Sequence, residues 1–170
     1  FLMVARLLRN KGVCEYGEAA LRVIAAHPEA RCLLVGPFDE GPDSVTQIQL
    51  DRWIAGGLEY LGSREDVRPA IAQASIYVLP SYREGTPRSV LEAMAMGRPI
   101  VTTDAPGCRE TVTHGENGFL IPVRDPTALM GAMEKFIYNP SLIPSMGGKS
   151  YKIAQEKYDV KKVNAEMLKI

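Results

Sequence analysis

Neither sign of charge predominates in this sequence, which has 20 lysines and arginines and 20 aspartates and glutamates. The balance does not resemble the broad basic surface of a nucleic-acid binder, so nucleic acid is not an expected partner. No apolar run approaches the roughly 20 residues that span a bilayer, and no signal peptide is recognisable. What remains is the broad class of globular proteins of ordinary composition.

Cysteine is scarce, with residues only at positions 14, 32 and 108. The count is odd and no close Cys/His pair has zinc-like spacing, which disfavours a disulfide framework and a metal site. Cys32 lies in an apolar run, where a buried reduced thiol is the simplest interpretation. We therefore expect no metal, no cofactor and a cytoplasmic protein.

The length of 170 residues suits one compact domain. No repeat, low-complexity tract or internal linker divides it, so the sequence predicts a single domain over 1–170. Residues Phe1–Ala5 are typical of a strand already in progress, without an initiator Met. We expect the chain to be part of a longer protein.

Short apolar segments alternate with helical patterns along the chain. Most of these segments are apolar throughout, as expected for strands covered on both faces. The predicted strands are Phe1–Ala5, Arg31–Val35, Leu58–Leu61, Ile76–Leu79, Pro99–Thr103 and Gly118–Pro122. Alternation of this kind predicts an α/β fold with a doubly wound parallel sheet, Rossmann-like in architecture.

The intervening helices have recognisable boundaries. Ser44 and Thr86 are candidate N-caps, and Asn139-Pro140 breaks the pattern near the end. Predicted helices run from Gly12 to about His27, from Ser44 to Gly56, over Glu65–Ala74, from Thr86 to Gly97, over Cys108–His114, from Asp125 to about Ile137, and through one or two polar helices over about 145–170.

The chemistry is expected at the carboxyl ends of the strands, where loops lead into helix N-termini. The richest such segment is 80–97, in which a strand ends and a turn at Gly85 opens a helix at Thr86-Pro87. Free N–H groups and the helix dipole make this turn suitable for a phosphate or diphosphate. The alternative interpretation is that Thr86 and Pro87 only start a helix.

Two glutamates flank this turn. Glu84 precedes it, and Glu92 lies about one and a half helical turns inside the helix. Ionised carboxylates only accept hydrogen bonds, which suits the recognition of hydroxyl groups. The alternative for each is an ordinary loop carboxylate or a solvated helix residue.

The segment EGTPRSVLE at 84–92 resembles the E-x7-E motif of glycosyltransferase family 4, and the likeness continues through Ala93–Val101. Residues 4–12 resemble the GRLxxxKG element, with Arg6 and Lys11 in matching positions and Ala5 in place of the usual Gly. Further similar segments are Leu33–Gly36, Leu61-Gly62, Ser75–Ser81 (with Ser75 in place of the usual Asp), Gly107–Glu110 and Gly115–Pro122. The resemblance therefore covers nearly the whole chain.

This resemblance implies the C-terminal, donor-binding half of a GT-B fold enzyme, without its N-terminal acceptor domain. It implies that Arg6, Lys11 and the backbone of Gly85–Ser89 contact the donor diphosphate, and that Glu92 holds the ribose. Glu84 would face the transferred sugar. The implied nucleotide-sugar-binding set is Gly62, Arg64, Gly85, Thr86, Pro87, Arg88, Ser89, Leu91 and Glu92, and the implied catalytic set is Glu84, Arg6 and Lys11.

The implied function is a retaining transferase that moves a hexosyl or N-acetylhexosaminyl group from a nucleotide diphosphate sugar. UDP is the favoured nucleotide, with GDP and ADP open. The expected acceptor is a glycan or lipid-linked molecule of bacterial surface polysaccharide synthesis, bound through the absent domain. Alternatives are a nucleotide-sugar-binding module without transfer activity and a GT-B-like epimerase.

Several other residues have simpler interpretations. His27 and His114 are predicted to end helices, and Trp53 and Tyr60 to pack. Arg64 either contacts the base or is an ordinary surface arginine. The C-terminal lysines are typical of a solvated helix face, and peripheral membrane association of a full-length enzyme stays open.

Overall fold

The sheet of this protein contains every strand that the sequence predicts. A computed structural model of the chain describes residues 1–159. The strands are β1 (Leu2–Val4), β2 (Leu33–Val35), β3 (Glu59–Tyr60), β4 (Tyr77–Leu79), β5 (Ile100–Thr103) and β6 (Gly118–Ile121). Each is one or two residues shorter than predicted, because the outermost residues of each predicted strand make no ladder pairing.

All strand pairs are parallel, in the order β3-β2-β1-β4-β5-β6. The chain therefore moves outward from β1 to β3, returns to the other side of β1 and continues to β6. Consecutive residues of β2, β4 and β5 are all buried, although neighbouring side chains of a strand point to opposite faces. Both faces of the sheet are thus covered, which confirms the Rossmann-like α/β prediction.

Six α-helices connect or follow the strands within the described residues. They are α1 (Val13–Ala26), α2 (Gln47–Ala55), α3 (Arg68–Gln73), α4 (Arg88–Ala95), α5 (Pro126–Tyr138) and α6 (Leu142–Lys157). Helix α1 packs against α5 and α2, and α4 packs against α6. None of the helices in residues 1–159 combines the length and the apolar character needed to cross a membrane.

Helix starts differ from the prediction at several positions. Thr46, not Ser44, caps α2: its hydroxyl accepts from the Gln49 N–H, and the Gln49 side chain accepts from the Thr46 N–H. Ser44 instead accepts a hydrogen bond from Gly41. The reciprocal capping box satisfies two N–H groups at once, which favours the later start.

Two further segments depart from the predicted boundaries. The segment predicted as a helix over Cys108–His114 contains only a 3-10 turn, Arg109–Thr111. The predicted break at Asn139-Pro140 is confirmed, because α5 ends at Tyr138, but α6 already begins at Leu142. The rest of the predicted C-terminal helical region, 160–170, lies outside the described residues.

Trp53 is fully buried, which confirms the prediction that it is a packing residue. Its indole lies on Gly17, where an added Cβ would be 2.3 Å from the ring. Glycine at this position lets α1 and α2 approach closely. Because β1, β2 and β3 are parallel neighbours, right-handed crossovers place both helices on the same side of the sheet.

Candidate functional site

A cleft of about 300 Å³ opens between the loop after β1 and the start of α4. Such a cleft, at the carboxyl end of β1 and β4, is where the strand order reverses in a doubly wound sheet. Most of the predicted site residues line it. The lining residues are Val4, Ala5, Arg6, Lys11, Leu79, Glu84, Thr86, Pro87, Arg88 and Ser89.

Helix α4 opens toward this cleft without a side-chain cap. The N-cap residue is Pro87, in an extended conformation, and not Thr86 as predicted. The fixed φ of proline suits this half-helical position, and its ring has no acceptor for the first N–H groups. Within residues 1–159 the N–H groups of Arg88 and Ser89 donate no hydrogen bond to the protein.

The first turn of α4 also contains no acidic residue, and its first residue is the exposed cation Arg88. A cation at a helix N-terminus is electrostatically unfavourable unless an anion lies nearby, because the helix dipole places partial positive charge there. Uncapped N–H groups and a cation therefore give this end of the cleft a concentrated positive potential. It is suited to a phosphate or diphosphate group.

Lys11 and Glu84 meet at the cleft floor. The Lys11 ammonium donates to both carboxylate oxygens of Glu84, at 2.8 and 2.9 Å. The buried hydroxyl of Ser81 donates to one of these oxygens at 2.7 Å. The Glu84 side chain is only 12% exposed, so its charge is largely shielded from water and its orientation is fixed by these two partners.

Arg6 lies at the open side of the cleft, where its guanidinium pairs with Asp39. Its side chain is 61% exposed, and an ion pair at such a position contributes little to stability. The pair can therefore open at small free-energy cost when an anion competes for Arg6. Asp39 lies in the loop after β2, where the sequence places chemistry in general, but no motif singles it out.

Two glycines allow the loops to approach one another. Gly12 has φ +76°, and an added Cβ would lie 2.0 Å from the carbonyl oxygen of Pro80. Gly107 has φ +83°, and its Cβ would lie 2.0 Å from the carbonyl oxygen of Glu84. The Glu84 N–H also donates to the carbonyl of Pro106 at 3.0 Å. The Glu84 loop is thus fixed against the loop that follows β5.

The start of α4 is also tied to the sheet. The hydroxyls of Tyr77 and Ser89 share a hydrogen bond of 2.5 Å, and the Tyr77 hydroxyl lies 3.1 Å from the Val4 carbonyl. Tyr77 is fully buried, and this burial raises the pKa of its phenol well above the ordinary value. The hydroxyl therefore stays protonated and holds the first turn of α4 beside β1.

The remaining predicted site residues lie outside this cleft. Gly85 lines a neighbouring cavity with Thr86 and Gly107, and Leu91 packs against the core. Gly62, with φ +70°, has open space where a Cβ would lie, and its carbonyl accepts from the Gly36 N–H. Arg64 is exposed.

Glu92 is half-buried on α4, close enough to Arg68 for its charge to act on that residue. The pKa of Arg68 is raised, first by its hydrogen bonds to Asp66 and to a smaller extent by Glu92. The charge of Glu92 also acts on the Tyr77 phenol, whose hydroxyl is bonded to Ser89 at the start of the same helix.

Both histidines are engaged away from the cleft. The His27 ring nitrogen Nε2 lies 2.9 Å from Glu134, and the His114 Nδ1 accepts from the Leu120 N–H. Within the described part of the chain, no group of three or more His, Cys, Asp or Glu side chains is arranged to hold a metal ion. That no metal participates stays a prediction.

The all-parallel sheet and the position of the cleft place this chain in the Rossmann-like class of α/β domains. A family model described as glycosyl transferases group 1 matches residues 1–139. The chain therefore belongs to this family of glycosyltransferases, as the E-x7-E resemblance implied.

Among its relatives is N,N'-diacetylbacillosaminyl-diphospho-undecaprenol alpha-1,3-N-acetylgalactosaminyltransferase of Campylobacter jejuni. That protein is 41% identical over 117 residues, which are 69% of this chain and 30% of its own length. The UDP-Gal:alpha-D-GlcNAc-diphosphoundecaprenol alpha-1,3-galactosyltransferase of Escherichia coli is 30% identical over 78% of this chain and 35% of its own length. The chain thus spans only about a third of either relative.

Solved structures match the fold closely. Anabaena HepE in complex with UDP has a TM-score of 0.87 and 26% identity, over 99% of this chain and 48% of HepE. The C-terminal domain of a group 1 family glycosyl transferase from Francisella tularensis has a TM-score of 0.82 and 20% identity, over 94% of this chain and 86% of that domain. The fold is that of the C-terminal half of a GT-B glycosyltransferase.

Proposed function

We propose that this chain is the donor-binding half of a retaining glycosyltransferase that uses a UDP-sugar. The observation that carries the proposal is the uncapped start of α4, with Arg88, Lys11 and Arg6 lining the same cleft. The resemblance to UDP-bound HepE and to a UDP-galactose-dependent relative supports uridine over guanosine or adenosine.

In the proposed mechanism the diphosphate lies on the first N–H groups of α4, between Arg6 and Lys11. Negative charge grows on this leaving group as the bond to the sugar breaks. Cations and oriented N–H groups already in place stabilise that charge without reorganisation of solvent. Each charge-assisted hydrogen bond is worth about 1.5–3 kcal/mol, so removal of one cation slows transfer by about tenfold or more.

The two glutamates would bind hydroxyl groups at the two ends of the donor. Glu84 faces the transferred sugar, and Glu92 accepts from the ribose hydroxyls. Glu84 is held by Lys11 and Ser81, which fixes the acceptor oxygens before the sugar arrives. The loop after Gly62, including Arg64, would pass beside the base.

The acceptor would bind a second domain that faces this cleft. The two relatives named above act on diphospho-undecaprenol-linked sugars by name. We propose an acceptor of this lipid-linked or glycan class, in bacterial surface polysaccharide synthesis. Transfer requires both domains to orient donor and acceptor, so these 170 residues alone should bind the donor without turning it over.

The proposal is tested by calorimetric titration of the 170-residue chain with UDP, GDP and ADP. We expect saturable binding of UDP, weaker binding of the other two, and no release of free sugar from UDP-sugars. Equal binding of the three nucleotides would remove the preference for uridine. An absence of binding by all three would overturn the proposal.

Turnover is measured on the full-length enzyme with UDP-sugars and a lipid-linked acceptor. Analysis of the anomeric configuration of the product by NMR distinguishes retention from inversion. A free epimerised UDP-sugar as the only product would identify an epimerase. Donor binding without any product would identify a binding module.

A further inference from the structure

A second polar network joins Tyr82, two residues before Glu84, to Glu15 in α1. The Tyr82 hydroxyl donates to one carboxylate oxygen of Glu15 at 2.6 Å. Glu15 lies in the first turn of α1 and is 9% exposed. Its other carboxylate oxygen is buried and makes no hydrogen bond within residues 1–159. Tyr82 is thus the hydrogen-bonding side chain that stabilises this buried carboxylate.

The Tyr82 backbone forms a second connection, because its N–H donates to the carbonyl of Asn10 at 2.9 Å. Asn10 immediately precedes Lys11, and Tyr82 precedes Glu84 by two residues. The loop after β4 is therefore joined to the loop after β1 through both the backbone and the side chain of one residue. These are the loops that carry the two partners of the ion pair in the cleft.

Arg124 covers the outer face of the Tyr82 ring, with its guanidinium carbon 4.7 Å from the ring centroid. The contact is a cation–π interaction, which limits rotation of the ring. Tyr82 is consequently held by Glu15 at its hydroxyl, by Asn10 at its backbone and by Arg124 at its ring face. Burial and the neighbouring Glu15 carboxylate raise the pKa of its phenol to about 12, so the donated proton is retained at neutral pH.

We propose that Tyr82 is a positioning residue of the transfer site: its bond to Glu15 holds the two loops in the register at which Lys11 and Glu84 meet. The proposal rests on the proposed function for its catalytic consequence, but its structural consequence is independent of any ligand. Loss of the hydroxyl leaves a buried carboxylate without a partner, which displaces Glu15 or its surroundings. The Lys11–Glu84 pair then opens more often.

The first test measures how fast an acylating reagent modifies Lys11 in the 170-residue chain. N-hydroxysuccinimidyl acetate is the probe, and site-resolved mass spectrometry gives the rate at Lys11 and at the exposed reference Lys149. Tyr82→Phe should raise the Lys11 rate about fivefold and leave the Lys149 rate unchanged, because one hydrogen bond shifts an opening equilibrium by about that factor.

Tyr16→Phe is the matched control, since it also removes one buried phenolic hydroxyl. The Tyr16 hydroxyl donates to the Leu33 carbonyl at 2.9 Å, away from the cleft loops. This variant loses stability without opening the pair, so its Lys11 rate should equal that of the wild type. A Lys11 rate in Tyr82→Phe that matches both the wild type and this control overturns the proposal.

The second test is steady-state kinetics of the full-length enzyme. Tyr82→Phe should lower kcat about tenfold without raising the donor KM, because the cations and the N–H groups of α4 remain available to the diphosphate. The double variant Tyr82→Phe/Glu15→Gln removes the unpartnered buried charge and should recover thermal stability but not kcat. Recovery of both together would mean that Tyr82 is only structural, which contradicts the proposal.

The two tests also separate this inference from the proposed function. A wild-type enzyme that neither binds UDP nor transfers sugar would overturn the proposed function. The Lys11 acylation rates would still decide whether Tyr82 holds the pair, because that measurement requires no nucleotide.

Discussion

The ammonium of Lys11 lies 2.8 and 2.9 Å from the two carboxylate oxygens of Glu84, although 73 positions of sequence separate the two residues. The sequence motif assigns these residues to different parts of a donor, Lys11 to the diphosphate and Glu84 to the sugar. Their direct contact means that each restrains the other before a ligand arrives. A bound diphosphate must therefore compete with Glu84 for the Lys11 ammonium, or share it.

We predict that Glu84→Gln separates nucleotide binding from turnover. The amide keeps the size of the side chain but no longer holds Lys11 as a charged partner. The 170-residue chain should then bind UDP as tightly as the wild type or up to about tenfold more tightly. In the full-length enzyme, turnover should fall on the order of 100-fold, because a fixed charge near the reacting sugar is lost.

Lys11→Met is the comparison for this experiment. It removes the cation and should weaken UDP binding about tenfold or more in the same calorimetric titration. If Glu84→Gln also weakens UDP binding, then Glu84 does not compete with the diphosphate for Lys11. Equal affinity in Lys11→Met and the wild type would exclude Lys11 from the diphosphate site.

We predict that Asp39 competes with a bound diphosphate for Arg6, as Glu84 does for Lys11. Asp39→Asn breaks the exposed pair and frees the guanidinium, so UDP affinity should rise by a few-fold, on the order of 3. Arg6→Ala should lower the affinity about tenfold. The difference between the two variants should shrink at high salt, because the Arg6 side chain is exposed. Unchanged UDP affinity in both variants would place Arg6 outside the site.

Gly107→Ala should disturb the Glu84 loop through the backbone. A methyl group at this position would lie 2.0 Å from the Glu84 carbonyl oxygen, and the backbone has φ +83°. We expect a loss of about 2 kcal/mol or more in the free energy of unfolding, together with weaker UDP binding. Urea unfolding followed by the Trp53 fluorescence provides the measurement.

Gly131→Ala is the matched control, because the same methyl group meets open space in the middle of α5. Here the substitution should stabilise the chain by about 0.5–1 kcal/mol through helix propensity. Its UDP affinity should equal that of the wild type. An unfolding midpoint of Gly107→Ala at or above the wild-type value would contradict the close contact between the two loops.

The sequence predicts the sheet well for a physical reason. Buried parallel strands such as Leu33–Val35 and Ile100–Thr103 are short apolar runs, and that local pattern needs no knowledge of neighbours. Helix starts are less certain from sequence, because several residues compete for one cap. Thr46 rather than Ser44 caps α2, because Gln49 completes a capping box with it. Pro87 rather than Thr86 is the N-cap of α4, where its fixed φ suits the start of the helix.

The site was predictable only where a local motif marks it. Thr86–Ser89 lie in one turn, so their shared cleft follows from the motif itself. Asp39, Tyr82 and Glu15 belong to no such motif, because their contacts join segments that are far apart in sequence. Ser81 and Tyr82 lie in the segment 80–97 that the sequence marks for the site, and Ser81 contacts Glu84 only three positions away.

The free energy of unfolding should decrease at alkaline pH, and part of this decrease should come from ionisation of the Cys32 thiol. Burial of this thiol raises its pKa from 9.0 to about 11, with a small opposing effect of the amino terminus. Because the folded-state pKa is the higher one, the thiol stays protonated in the folded chain at pH values where it ionises in the unfolded chain. The contribution of this difference to the free energy of unfolding is fully present below pH 9. It is lost progressively between pH 9 and pH 11, and the loss amounts to about 2–3 kcal/mol.

Urea unfolding at half-unit steps from pH 8 to pH 11 measures this effect, and Cys32→Ala provides the comparison. The variant lacks the titrating thiol, so its free energy of unfolding should fall less steeply between pH 9 and pH 10 than that of the wild type. Buried Tyr16 and Tyr77 also have raised pKa values, but their ordinary value of 10.0 places their main effect above this interval. Parallel curves for the two proteins from pH 9 to pH 10 would show that the Cys32 thiol titrates alike in the folded and unfolded chains.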